Sequence, residues 1–159
     1  EGGGKKHFNL EGTPLYNIND IEKILPHRYP FLLVDKVMEI TENGIIGVKN
    51  VTMNEPMFQG HFPGNPVFPG VLQIEATAQV GGIFALSKVD EPELYSTYFM
   101  KIDNVKFKQK VIPGDTLVFE LNLISPIRRG LVHMAGKAYV DGKLVMEAEM
   151  LAQIIKDKV

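Results

Sequence analysis

The 159-residue sequence contains no cysteine. That absence excludes disulfides, thiolate metal sites and a cysteine nucleophile, and it fits a reducing compartment. An excess of charge of one sign is also missing. Lys and Arg number 17 against 19 Asp and Glu, a formal net charge of -2, without the basic surplus of a nucleic-acid binder. No unbroken apolar stretch approaches the roughly 20 residues that span a bilayer, and no charged-then-apolar leader opens the chain. Neither a nucleic acid nor a membrane is expected as a partner, and the reading is cytoplasmic. Serine is scarce, and Ser87, Ser96 and Ser125 sit in no G-x-S-x-G elbow. His7, His27, His61 and His133 form no H-E-x-x-H or other close ligand spacing, so no metal and no cofactor is expected.

What is present describes one globular domain. Hydrophobic residues make up 45% and charged residues 23%, the balance of a chain able to bury a core. The opening EGGGKKHFNLEG lacks methionine and is rich in glycine and charge. Residues 1–16 are read as a linker or a remnant of expression, and 17–159 as a single domain. Asn19 with Glu22 predicts a capped start for a short helix in NINDIEKIL, which Pro26 stops. Strands are predicted at 31–40 and 44–53, joined by the hairpin signal Thr41-Glu42-Asn43-Gly44. Residues 70–88 have helical length, no proline and no fully polar face, the pattern of a buried helix. Strands at 97–111, 116–124, 131–140 and 143–155 complete a meander. The fold class is α+β, a single antiparallel sheet wrapped around one long central helix.

The chemistry concentrates in GHFPGNPVFPGVLQIE, residues 60–75. Pro63, Pro66 and Pro69 stiffen the loop, while Gly60, Gly64 and Gly70 permit close backbone approach. A stiff loop can hold His61 as a base. Pro69-Gly70 then delivers the chain into a helix whose first amides lack partners and can donate to a developing oxyanion. Glu75 falls inside the apolar helix, where burial would favour its neutral form. Taken alone, Glu75 reads first as a structural carboxylate satisfied by a partner or at a subunit interface, because position alone does not make an acid.

GHFPGNPVFPGVLQIEATAQVGG, with LPHRYPFLLVDKV before it and YFMKIDNVKFKQKVIPGD after it, resembles the β-hydroxyacyl-acyl-carrier-protein dehydratases of the FabZ type. The likeness runs over residues 17–155, and some members are fused behind a deacetylase of lipid A synthesis. It implies the hot-dog fold, with His61 as catalytic base and Glu75 as catalytic acid. Glutamate rather than aspartate at that position implies the simple dehydratase rather than the dehydratase-isomerase. Gly70 matches the amide that polarises the thioester carbonyl, and Val71, Phe62 and Tyr98 match substrate-binding positions, Tyr98 as a gate of the acyl tunnel. Acyl carrier protein is the implied partner, and the implied assembly is a homodimer with shared sites, built into a trimer of dimers. Lys106, Lys108, Lys110, Arg128 and Arg129 offer cationic surface for an acidic carrier, although lysines also protect an edge strand from aggregation. Two other classes share these features, a hot-dog thioesterase and a non-catalytic acyl-binding module. The module would not need an acid and a base together.

Overall fold

In the computed structural model, which describes residues 4–159, a short helix α1 (Ile18–Ile24) precedes strands β1 (Lys36–Ile40) and β2 (Gly44–Asn50). A 3-10 turn at Pro56–Gln59 and the long helix α2 (Gly70–Leu86) follow. Four strands end the chain: β3 (Tyr95–Phe107), β4 (Thr116–Leu123), β5 (Leu131–Val140) and β6 (Lys143–Lys156). They form one antiparallel sheet in the order β1-β2-β4-β5-β6-β3.

Two expectations need correction within the first elements. The helix cap is Asn17, not Asn19: its side chain accepts from Asp20 N, and Asp20 returns the bond to Asn17 N. Both residues fit an N-cap by type, and Asn19 loses because it already lies inside the helical turn. Phe31–Asp35 is not strand. Its backbone bonds go to a side chain and, only at its last residue, to β2, with Leu33 N donating to Gln79 Oε1 at 2.9 Å and Asp35 N to Val48 O at 2.8 Å.

The predicted meander also changes order, because β3 pairs with β6 at the far edge while β4 pairs with β2. The connection between β3 and β4 spans residues 108–115, longer than the two to five residues usual in a hairpin. Its start stays with β6 through Lys108 N to Val145 O, and its end is carried to β2 by Val51 N to Asp115 O and Gly114 N to Val51 O.

Strand alternation supplies the core. Leu117, Phe119 and Leu121 of β4 are buried, facing a helix whose Val80, Ile83 and Phe84 are fully buried. Glycines let the helix approach closely. A Cβ at Gly47 would stand 2.9 Å from Val80 Cγ2, and one at Gly136 would stand 2.7 Å from Thr77 Cγ2. The sheet's outer face is covered by residues 4–10 of the segment expected as a linker. Lys6 bonds Glu120 and Phe8 packs on Tyr139 with ring centroids 5.1 Å apart. Further along, Tyr16 exchanges backbone bonds with Val37. Among the described residues no helix is long and apolar enough to cross a membrane.

Candidate active site

The loop before α2 fixes His61 at both its backbone and its ring. His61 N donates to Met57 O in the 3-10 turn at 3.0 Å, and Val67 N returns to His61 O at 3.0 Å. Phe62 and Asn65 exchange backbone bonds around Gly64, whose φ is +73° and suits glycine. The His61 ring stacks on Phe62 at 3.9 Å, and its Nδ1 lies 2.7 Å from Val67 O. A carbonyl oxygen can only accept, so Nδ1 carries the proton in that bond. The neutral ring then presents Nε2 as an unprotonated base.

Helix α2 begins at Gly70, immediately after Pro69. Gly70 and Val71 lie in the first turn, where the helical ladder provides no acceptor for an amide. Val71 is 72% exposed, and a Cβ at Gly70 would meet the Phe107 ring at 2.9 Å. Glycine therefore serves close packing here as well as access to the amide.

Glu75, one turn further on, is less buried than the apolar run predicts, with its side chain 30% exposed. The helix is apolar around it, but its side chain opens into a cavity of about 420 Å³ lined also by His27, Gln79 and Tyr95–Phe99. Gln79 Nε2 donates to Glu75 Oε2 at 2.9 Å, and His27 Nε2 is 3.7 Å from the same oxygen. Arg28 fixes His27 from behind by donating to the carbonyls of Glu22, Leu25 and His27. Gln79 was not among the expected site residues. The available signal was its i+4 spacing from Glu75 on a largely apolar helix.

Gln79 is held as firmly as it holds. Its amide also donates to Phe31 O at 2.8 Å, and its oxygen accepts from Leu33 N. Replacing it with leucine strands the buried Leu33 amide and leaves the part-buried Phe31 carbonyl without its donor. Gln79→Leu is expected to cost about 2–3 kcal/mol of stability, read from urea unfolding.

Tyr98 lines the Glu75 cavity and donates to Asp157 Oδ2 at 2.9 Å. The hydrogen bond from Ser96, and after it that from Tyr98, holds the Asp157 carboxyl below the ordinary range. His61 does not line this cavity, so one chain does not bring the two candidate proton carriers together there. The five cations fall into two groups. Lys106 pairs in register with Glu147 and Lys108 makes an ion pair with it at 3.7 Å, while Lys110 lies beyond the end of β3. Arg129 O accepts from Gln153 Nε2, six residues further along β6, or about 20 Å at strand rise. A separate cavity of about 330 Å³ on the outer face, lined by Lys5, Lys6 and Phe8, contains neither His61 nor Glu75. Among the described residues no three His, Cys, Asp or Glu side chains converge as metal ligands.

A six-stranded antiparallel sheet around one long helix, with a histidine loop at the helix start and a glutamate one turn in, defines a hot-dog protein. The family model described as a FabA-like domain matches residues 25–149, and the chain belongs to this family, among its FabZ-type members. It is 56% identical over 138 residues to the 3-hydroxyacyl-(acyl-carrier-protein) dehydratase FabZ of Geotalea uraniireducens, covering 86% of this chain and 94% of that one. To the bifunctional enzyme LpxC/FabZ of Bacteroides thetaiotaomicron it is 63% identical over 151 residues, 95% of this chain. The chain spans 33% of that relative's length. A dehydratase heterocomplex ApeI:P from Xenorhabdus doucetiae shares the fold at 16% identity with a TM-score of 0.69, covering 84% of this chain and 89% of that one.

Proposed function

We propose that the chain dehydrates (3R)-3-hydroxyacyl groups carried on acyl carrier protein to trans-2-enoyl groups, in fatty acid synthesis. The observation that carries this reading is the Nδ1 bond to Val67 O, three residues before α2 begins at Gly70, which leaves His61 Nε2 as the unprotonated ring nitrogen. Nε2 removes a proton from C2. The enolate-like charge that develops on the thioester oxygen is met by the Gly70 amide and the positive end of the helix, with Val71 adjacent. Glu75, oriented by Gln79, gives a proton to the departing C3 hydroxyl directly or through a water, and one water leaves. Transfer of the C2 proton from His61 back to Glu75 by way of solvent resets both groups.

The acyl tail would need an apolar cleft next to Glu75 to widen, since that cleft is closed to about 10 Å³ in this structure. The cleft, lined by Gly81, Ala85, Leu121, Met134 and Met150, adjoins the Glu75 cavity through their shared residues Gly82, Thr97 and Phe99. Carrier docking falls to Lys106, Lys108 and Lys110 at one end of the sheet edge or to Arg128 and Arg129 at the other. The working unit is a homodimer joined along β3, assembled further into a trimer of dimers.

Mass spectrometry of a 3-hydroxyacyl carrier protein before and after incubation tests the reaction. Loss of one water from the carrier-bound group is expected. Release of the free carrier thiol instead would make the chain a thioesterase, and an unchanged carrier would make it a binding module. Turnover is also expected to survive chelators. Inactivation that added metal reverses would overturn the metal-free mechanism.

A further inference from the structure

Lys49 is 5% exposed and takes no part in the proton transfers above. A buried ammonium is costly unless it is paired, and its two neighbours lie at the two roots of the loop that carries His61. On the leading side, Lys49 Nζ is 3.1 Å from Glu55 Oε1. Glu55 directly precedes the 3-10 turn, its Oε2 accepts from Thr52 N at 3.1 Å, and its carbonyl accepts from Phe58 N at 3.2 Å. The His61 amide hangs from Met57 O in that same turn. On the trailing side, Lys49 Nζ lies 5.5 Å from the centroid of the Phe68 ring, within cation–π range. Phe68 is buried, is tied to Val111 O by its amide, and follows Val67, whose carbonyl receives the His61 ring.

A second carboxylate belongs to the group. Asp35 Oδ2 accepts from Asn50 N at 2.6 Å. Desolvation pushes its carboxyl above the ordinary range, against the pull of the Asn50 amide and of Lys49. The ammonium thus sits between the Glu55 carboxylate and the face of Phe68, with Asp35 near enough to feel its charge.

We propose that Lys49 is a positioning residue for His61: one buried ammonium clamps both ends of the loop, keeping Val67 O on Nδ1 and Nε2 free. The clamp deepens the reading of His61 as the base and rests on it. A plain structural ion pair would lower stability when broken but leave the His61 tautomer alone.

The test uses the whole chain with 15N-labelled histidine, below the unfolding temperature of each variant. In the unsubstituted protein the His61 ring is expected as a single tautomer with the proton on Nδ1. Lys49→Met is expected to give a mixture of both tautomers and a kcat lower by about 10-fold to 100-fold, the scale on which small misplacements act. KM should stay within about twofold, since substrate binding is not what the clamp supplies. Lys49→Arg should restore the single tautomer and most of the kcat. Should Lys49→Met fail to fold, Glu55→Gln releases the leading root alone and is read in the same way. A folded variant with the original tautomer and kcat overturns the clamp. A tautomer shift in a chain that never dehydrates its substrate keeps the clamp and sinks the assigned reaction instead.

Discussion

His61→Ala and Glu75→Gln are each expected to lower turnover by about 100-fold or more, the span a positioned acid or base contributes. Neither change removes much that holds the fold. The His61 ring makes one hydrogen bond, to Val67 O, and stacks on Phe62. The Glu75 carboxylate is partly exposed and serves as acceptor to Gln79, a role glutamine can keep through its own amide oxygen. Circular dichroism and urea midpoints should therefore stay close to those of the unsubstituted chain. Steady-state rates on a 3-hydroxyacyl carrier substrate decide the matter, and near-normal turnover in either variant removes that residue from the mechanism.

How far the sequence reached depended on whether a signal was local. The proline-spaced loop and the helix from Gly70 were legible because φ-fixing residues and an apolar run declare themselves within a few positions. Strands β5 and β6 were likewise bounded by the Asp141-Gly142 turn, which the structure places between Val140 and Lys143. Strand order was not legible, because it depends on where residues 108–115 carry the chain, and those bonds are made to Val51 and Val145, far away in sequence. Within the candidate site, the tautomer of His61 depends on Val67 O, a backbone atom whose position no composition reveals. Gln79 was hidden for a related reason. It fastens Phe31 and Leu33, which read as strand precisely because their polar partner lies 46 to 48 residues away.

Chains carrying His61→Ala and chains carrying Glu75→Gln, each inactive alone, are expected to regain activity when refolded together. Strand β3 ends the sheet, and Phe99, Met100, Ile102 and Phe107 are exposed on it. A long apolar edge of this kind invites pairing, and a two-fold interface sets the strand antiparallel against itself. With full overlap the axis passes Lys101, the midpoint of Tyr95–Phe107, so residue 107 of one copy faces residue 95 of the other. Phe107 packs against Gly70, at the His61 end of the helix, whereas Tyr95–Phe99 line the Glu75 cavity. Self-pairing would thus lay the base and oxyanion donor of one copy over the acid of its partner. Equal mixing makes about half of the dimers mixed, each with one intact site of two, so about a quarter of full activity should return in a closed two-fold pair. If base and acid instead act within one chain, no mixed dimer holds an intact site, and activity stays at background.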